Sequence, residues 1–226
     1  EAPQKISEAF RQLRSGRPRP VGLEMPMDIM WQQSEVILGS KTPGSPAPLP
    51  DPDLIEKAAK ILGKSHQPMI FVGGGAYDAC EEIKTLAETL QAPVISYQNG
   101  RGILDERHHL AHTNTAGAML WETCDVAISI GCRMQAERMS WGMDDAVKII
   151  HVDIDPTEVN RIMKPDVGLV SDAAIASKKI INALKKYNIK RPSREEEMLN
   201  LKARAEKLME EIAGPQMGWL RAIRDV

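Results

Sequence analysis

A run of apolar residues that ends in three consecutive glycines constrains this chain more than any other feature of its sequence. Met69-Ile70-Phe71-Val72 shows no polar alternation, which predicts a strand buried on both faces, as in parallel sheets covered by helices. Gly73-Gly74-Gly75 follows at once, and residues without a Cβ atom allow a sharp turn and close backbone approach. A helix predicted after the turn directs its N-terminal amides at it. The turn therefore either cradles a phosphate or only lets the helix pack on the strand.

Strand and helix patterns alternate along the rest of the chain. Further strands are predicted at 93–97, 126–131, 147–153 and 167–170, and helices at 52–62, 79–90, 115–123 and 172–187. Asp51 is a predicted N-cap and Gly63 a predicted C-terminal stop, while Asp155-Pro156-Thr157-Glu158 has the spacing of a capping box. The alternation predicts an α/β fold: a doubly wound, Rossmann-like parallel sheet of about six strands with helices on both faces. Ligands of such sheets collect at the carboxyl ends of the strands.

Composition limits the class of protein. The 226 residues are 42% hydrophobic and 27% charged, which predicts a soluble chain with one full core. A formal net charge of -2 gives no general attraction to nucleic acid, and no apolar run approaches the ~20 residues that span a bilayer. Three cysteines without C-x-x-C spacing favour a reducing compartment, so we expect a cytoplasmic protein with neither nucleic acid nor membrane as partner.

The ends of the chain carry patterns that cannot bury a core alone. A helix at 5–13 and a short strand at 21–24 precede a segment, 39–50, in which Gly, Pro and Ser dominate. A charged helix is predicted at 194–213, stopped by Gly214-Pro215, and a further apolar pattern follows it. Since the chain also starts at Glu1 without a Met, we expect it to be part of a longer protein.

Several segments resemble one enzyme family. Residues 16–28, GRPRPVGLEMPMD, resemble the G-R-P-G-P-V-x-L-x-x-P-x-D segment that closes the first domain of thiamine-diphosphate enzymes of the acetolactate synthase, pyruvate oxidase and 2-hydroxyacyl-CoA lyase family. Residues 51–187 are similar to the central domain of that family, which shares the proline-led strand into three glycines, the strand into Gly131-Cys132-Arg133, and His151-Val152-Asp153-Ile154-Asp155-Pro156-Thr157-Glu158.

The resemblance implies a division into domains and a class of reaction. Residues 1–38 would close a pyrimidine-binding domain, 39–50 would be a linker, 51–190 the central domain, and 191–226 a linker helix and the start of a diphosphate-binding domain.

The family's enzymes cleave or form a carbon–carbon bond beside a carbonyl of a small molecule, as lyases or transferases, using thiamine diphosphate and Mg²⁺. The complete protein is expected to form a homodimer or homotetramer, with the flanking domains of the same protein as partners of this one. The residues that activate and hold the cofactor lie in the other two domains, so the sequence predicts neither a catalytic nor a metal-binding residue here and an inactive chain in isolation. The alternative is a non-catalytic nucleotide-binding or oligomerisation module.

The resemblance also implies a candidate cofactor site. Relatives hold FAD or an ADP moiety, or nothing, at the positions of six residues: Gly74, Gly75, Arg133, Asp153, Asp155 and Asp172. The segment 98–102 and the segment 112–116 both depart from the flavin-binding pattern, which favours ADP over FAD. The residues leave two roles open for Arg133, a phosphate contact or an ion pair with Asp153 or Asp155. Asp155 has a structural role as an N-cap.

Two other groups of residues have simple interpretations. His108, His109 and His112 lack a carboxylate or cysteine at metal-ligand spacing and are interpreted as a solvated loop. Met134, Met139, Trp141 and Met143 are expected to pack against a neighbouring domain or subunit rather than to line a cofactor site.

Overall fold

The chain divides into two units in a computed structural model that describes residues 1–39, 43–142, 146–187 and 189–224. The units are Glu1–Pro48 and Leu49–Val226. The first contains helix α1 at Ala2–Leu13 and a single turn of helix, α2, at Met27–Met30. The strand predicted at 21–24 is wrong, because this segment has no regular structure and its side chains are exposed. An isolated strand has no partner to complete its backbone hydrogen bonds, so a short apolar pattern alone does not make one.

One parallel sheet of six strands forms the second unit. The strands are β1 Pro68–Val72, β2 Val94–Ser96, β3 Ala111–Thr113, β4 Val126–Ile130, β5 Lys148–Asp153 and β6 Val167–Val170. They lie in the order β3-β2-β1-β4-β5-β6, and every neighbouring pair is parallel. This doubly wound sheet confirms the predicted fold class. The sixth strand, β3, lies in a segment that the sequence pattern left as a loop, since three residues are too few to show a period.

Helices connect the strands and cover the sheet. They are α3 Pro52–Lys64, α4 Cys80–Leu90, α5 Asn114–Trp121, α6 Pro156–Val159, α7 Ala173–Leu184, α8 Glu195–Ala213 and α9 Met217–Arg224. The predicted N-cap of α3 is confirmed, because the Asp51 carboxylate accepts a hydrogen bond of 2.8 Å from the Asp53 amide. Gly63 does not stop α3, which continues to Lys64. A Cβ atom at Gly63 would lie 3.1 Å from the Tyr187 ring, so this glycine serves packing. None of the described helices combines the length and apolar character needed to cross a bilayer.

The core has one layer on each face of the sheet. Successive residues of β1 point to opposite faces, so Ile70 and Val72 join one cluster while Met69 and Phe71 join the other. The larger cluster includes apolar side chains of α3, α4 and α7 and extends to Met198 of α8. Burial on both sides explains why the strand sequences are continuous apolar runs.

The segment after β4 packs on its own domain. It contains a π-helix, Glu137–Trp141, and the Trp141 ring lies 6.2 Å from the Phe71 ring. Met134 is buried at 1% exposure. The expectation that Met134 contacts a neighbouring domain or subunit is therefore wrong, since its side chain is buried in this domain's core, whereas Trp141 is half-buried against that core and its contact with a neighbour stays a prediction. Met139 is 72% exposed, and Met143 lies outside the described residues.

Candidate functional site

The carboxyl ends of the parallel strands meet at one edge of the sheet. The strand order reverses between β1 and β4, and sheets of this order bind ligands at the crevice where the reversal occurs. The segments that follow the strands at this edge are Gly73–Gly75, Tyr97–Gly100, Gly131–Arg133, Asp153–Asp155 and Ser171–Asp172. The parallel topology thus brings all six predicted site residues to one edge of the sheet.

The two turns at the reversal are in backbone contact. A Cβ atom built at Gly75 would lie 2.9 Å from the Gly131 Cα atom, and one built at Gly131 would lie 2.5 Å from the Gly75 carbonyl carbon. Gly131 also has φ +59°, a conformation that side chains other than glycine rarely adopt. The Gly75 amide donates to the Gly131 carbonyl oxygen at 3.2 Å. Glycine is required here by the approach of β1 and β4 to each other.

Hydrogen bonds at this contact occupy amides that a phosphate would need. The Gly75 amide is engaged by Gly131, and the Ala76 amide donates to the Gly73 carbonyl oxygen at 3.1 Å. A 3₁₀ turn, Gly74–Ala79, separates the glycines from α4, which begins at Cys80. The amides of Gly75 and Ala76 are therefore engaged within the turns, which favours the packing role of the glycines, and α4 begins close to its predicted start at residue 79.

Arg133 forms an ion pair with a residue that the sequence assigned to another role. Its Nε atom donates to Glu158 Oε2 at 2.8 Å and its Nη2 atom to Glu158 Oε1 at 3.1 Å. Arg161 donates to the same carboxylate through Nη1, at 2.8 Å from Oε1. The pairing of Arg133 with Asp153 or Asp155 is not the arrangement found. The capping-box spacing had suggested a local role for Glu158, and no short-range pattern points to a partner 25 residues earlier.

The three aspartates at this edge each hold a turn of the backbone. The Asp153 Oδ1 atom accepts from the Asp155 amide at 2.9 Å, and the Asp155 Oδ1 atom accepts from the Thr157 amide at 2.9 Å. The Asp172 Oδ1 atom accepts from the Ile175 amide at 3.0 Å, at the start of α7. The predicted N-cap role of Asp155 is confirmed, and Asp172 has the same role. A carboxylate has two oxygens, so a capping role does not exhaust its capacity as an acceptor.

A buried tyrosine–glutamate pair lies beside the reversal and was not anticipated from the sequence. The Tyr97 hydroxyl, directly after β2, donates to Glu137 Oε2 in the π-helix, and Glu137 is fully buried. Burial raises the pKa of Glu137 and, together with the nearby Glu137 carboxyl, the pKa of Tyr97. Burial also raises the pKa of the neighbouring Cys132 thiol to about 12. Glu137 stands in a loop pattern with no period, so only the fold reveals that it meets Tyr97.

The three histidines lie near the other edge of the sheet and do not form a solvated loop. His112 is in β3 and is 5% exposed. The His108 ring stacks on the His109 ring with 4.6 Å between their centroids, and His108 Nε2 lies 3.2 Å from Glu88 Oε1. The interpretation as a solvated loop is wrong for His112, because β3 pairs with β2 and buries it. Within the described ranges no group of three or more His, Cys, Asp or Glu side chains is arranged to hold a metal ion.

The fold and the site define a class of protein: a doubly wound α/β domain whose strand order is that of nucleotide-binding sheets, with charged side chains at the strand ends. Residues 55–184, more than half of the chain, match the family model described as the central domain of thiamine pyrophosphate enzymes. The chain belongs to this family. This result does not favour the alternative of a non-catalytic module.

Similar proteins agree with this assignment. The chain is 34% identical over 188 residues to an acetolactate synthase large subunit from Corynebacterium glutamicum, covering 76% of this chain and 30% of that protein. It is 32% identical over 192 residues to a glyoxylate carboligase from Escherichia coli O157:H7, covering 77% and 31%. The structure of benzoylformate decarboxylase from Polynucleobacter necessarius has the same fold, with TM-score 0.65, 20% identity, and coverage of 84% of this chain and 37% of that one. The chain spans about a third of the length of the curated relatives it matches.

Proposed function

We propose that this chain is the central domain of an enzyme that cleaves or forms a carbon–carbon bond beside a carbonyl group of a small molecule, as a decarboxylase or carboligase of the lyase or transferase type. The observation that carries the proposal is the family match over residues 55–184, supported by the similarity to an acetolactate synthase and a glyoxylate carboligase. Both of these relatives are named for reactions that join carbon units.

Thiamine diphosphate, held with Mg²⁺, would supply carbanion stabilisation in such an enzyme. The residues of this chain do not fit that cofactor. Its described part has no cluster of metal-ligating side chains, and the carboxylates at the strand ends already cap turns or pair with arginine. We therefore assign cofactor binding and catalysis to other domains of the protein, and to this chain the role of a scaffold between them.

The domain boundaries are part of the proposal. We infer that residues 1–38 complete a pyrimidine-binding domain, that 39–50 are a linker, that 51–190 are the central domain, and that 191–226 lead into a diphosphate-binding domain. The first half of α8 packs on the core through Met198 and Leu201, whereas Ile212, Trp219 and Ile223 further along are more than 70% exposed. Exposed apolar side chains of this kind are typical of surfaces that another domain covers.

We further infer a nucleotide site at the strand ends, for ADP or the ADP portion of FAD. Gly74 and Gly75 form the turn at the reversal, Arg133 supplies positive charge, and Asp153, Asp155 and Asp172 lie at strand ends, where carboxylates suit ribose hydroxyls or an adenine amine. The strand order supports this position, because the crevice at the reversal is where such sheets bind nucleotides. The engaged amide of Gly75 shifts the expected phosphate contact from the glycine turn to the Arg133 side chain.

The assembly and location of the protein are also part of the proposal. We infer a homodimer or homotetramer in the cytoplasm. Cys80, Cys124 and Cys132 are all free thiols, and this state persists in a reducing compartment.

The experiment that tests the function is a turnover assay of the complete protein, produced from its whole reading frame. We expect consumption of pyruvate or glyoxylate and formation of a carboligation or decarboxylation product, dependent on added thiamine diphosphate and Mg²⁺. The same assay without thiamine diphosphate is the control. A reading frame without further domains, or a complete protein that turns over neither these nor other 2-oxo acids, would contradict the proposal.

A further inference from the structure

Two neighbouring helices on one face of the sheet carry opposite charges on their outer surfaces. α4 and α7 pack side by side and direct apolar side chains such as Ile83 and Ile180 into the larger core cluster. Three residues along the outer surface of α4 are exposed, and we call them the acidic stripe: Glu81, Thr85 and Glu88. Three residues along the outer surface of α7 and its C-cap are also exposed, and we call them the basic stripe: Lys178, Asn182 and Lys185.

The two stripes have the same spacing. Each has a charged residue, a neutral polar residue four positions later and a second charged residue three positions after that, which places all three on one side of a helix. The outer members are separated by seven residues, or about 10.5 Å of α-helix. Two such helices laid against each other in the same direction can therefore match all three positions at once.

The charges around each stripe mostly have the sign of that stripe. α4 contains three glutamates and one lysine, whereas residues 173–186 contain four lysines and no acidic residue. Among the described residues, neither Glu81 nor Lys178 takes part in an ion pair. The molecule thus presents a negative surface on α4 beside a positive surface on α7.

Two residues of this face already lie close to an ionisable side chain. Lys186, beside the basic stripe, pairs with Glu56 of α3 at 2.7 Å. Glu88 Oε1 lies 3.2 Å from His108 Nε2, and the Glu88 side chain remains 47% exposed. Neither contact reverses the sign of the surface on which it lies, because three further lysines remain along α7 and its C-cap and two further glutamates on α4.

The face is complementary to itself under a two-fold rotation. An axis that runs between α4 and α7, parallel to both, places α4 of each copy over α7 of the other and preserves the direction of both helices. The 3₁₀ turn Gly74–Ala79 packs beside α7 before α4 begins, so α4 starts further along this face than α7 does. This agrees with the offset between Glu81, the second residue of α4, and Lys178, the sixth residue of α7.

We propose that the face formed by α4 and α7 is a self-association surface whose partner is a second copy of this chain, with the acidic stripe of each copy on the basic stripe of the other. The proposal rests on the self-assembly inferred above and assigns a surface to it. Charge complementarity favours a second copy, because an acidic partner that matched only the lysines would meet Glu81 and Glu88 as like charges. Exposed ion pairs are individually weak, so this contact is sensitive to salt and adds to contacts made elsewhere.

Thiol cross-linking in the complete protein tests the proposed arrangement. Thr85→Cys and Asn182→Cys are placed in separate chains, each with Cys80→Ser because Cys80 is partly exposed, and the two chains are co-expressed with different tags. We expect a short bis-maleimide to join the two introduced thiols in a covalent dimer, because the central positions of the stripes meet across the two-fold axis. Thr85→Cys co-expressed with Lys207→Cys is the matched control, since Lys207 is exposed on α8.

A charge swap tests whether the stripes cause the association. Glu81→Lys or Lys178→Glu alone places like charges opposite each other, and each should lower the yield of this cross-link about 5-fold or more. The two substitutions together restore opposite charges and should restore the yield. Lys207→Glu changes the net charge by the same amount as Lys178→Glu and should leave the yield unchanged. Thermal unfolding of each variant checks that it is folded.

The outcomes distinguish this inference from the function on which it rests. A covalent dimer that forms equally well with the Lys207→Cys chain reflects random collision and overturns the proposal, as does a loss of yield that the double substitution fails to restore. Introduced thiols that do not react even with a small maleimide would show that another domain of the protein covers this face, which also overturns it.

Sedimentation of the complete protein separates the surface from the assembly. A homo-oligomer in which this cross-link does not form overturns the surface and leaves the inferred self-assembly intact, whereas a monomer contradicts both. The turnover assay still decides the carbon–carbon chemistry independently.

Discussion

At the scale of single residues, buried ionisable side chains set the response of this domain to pH. His112 lies in the edge strand β3, and its ring nitrogens lack a hydrogen bond of ordinary geometry within the described residues. Burial lowers the pKa of His112 to about 4, and the positive charge of Lys202 acts in the same direction. Burial also lowers the pKa of His151. Both side chains are neutral in the folded domain at neutral pH.

We expect the domain to lose stability as the pH falls from about 6.5 to about 4. The unfolded chain binds a proton at His112 more readily than the folded domain, because the pKa is 6.5 in the reference state and about 4 when folded. The difference corresponds to about 3 kcal/mol for this residue. Urea unfolding at a series of pH values measures it. His112→Leu removes the titrating group and retains His151, so an unchanged pH dependence in this variant would refute the role of His112.

At the scale of elements, the contact between the turns after β1 and β4 determines how the sheet closes at its reversal. Gly131 combines φ +59° with a Cβ position 2.5 Å from Gly75. Gly102 has φ +86°, but a Cβ atom there would meet nothing within 4 Å. These two glycines therefore separate the cost of an unusual backbone conformation from the cost of a collision.

Gly131→Ala should destabilise the domain by about 3 kcal/mol or more, because the backbone strain and the clash with Gly75 add together. Gly102→Ala is the control, with an expected loss of about 1 kcal/mol from backbone strain alone. Chemical denaturation of the two variants compares their free energies of unfolding. Equal losses would show that the β1 and β4 turns have room for a side chain and that the close contact is not required.

At the scale of the whole molecule, we propose that other domains of the protein carry out the chemistry of the enzyme. The chain covers about a third of its curated relatives and matches only the central domain of the family. Its charged groups at the strand ends hold turns or one another rather than forming a catalytic group.

The isolated chain should accordingly fold without showing decarboxylase or carboligase activity when thiamine diphosphate and Mg²⁺ are added. The core of the second unit is continuous on both faces of the sheet, which supports folding. Circular dichroism and a cooperative thermal transition check the fold, and a product assay with pyruvate checks activity. Turnover by the purified chain would refute the assignment of catalysis to other domains.

The sequence by itself determined five of the six strands of the sheet. Continuous apolar runs such as Met69–Val72 identify buried parallel strands, and local capping signals at Asp51 and Asp155 fix the starts of helices, because these features depend on neighbours a few residues away. It also placed Arg133 and the aspartates at strand ends, since the ends of parallel strands share an edge.

The tertiary structure alone decided which side chains meet. Glu158 pairs with Arg133 across 25 positions, Tyr97 with Glu137 across 40, and Gly75 engages its amide with Gly131. Each contact joins segments that follow different strands, so its partner is set by strand order and register rather than by local pattern. The burial of His112 has the same origin, because a three-residue strand exists only where β2 is present to pair with it.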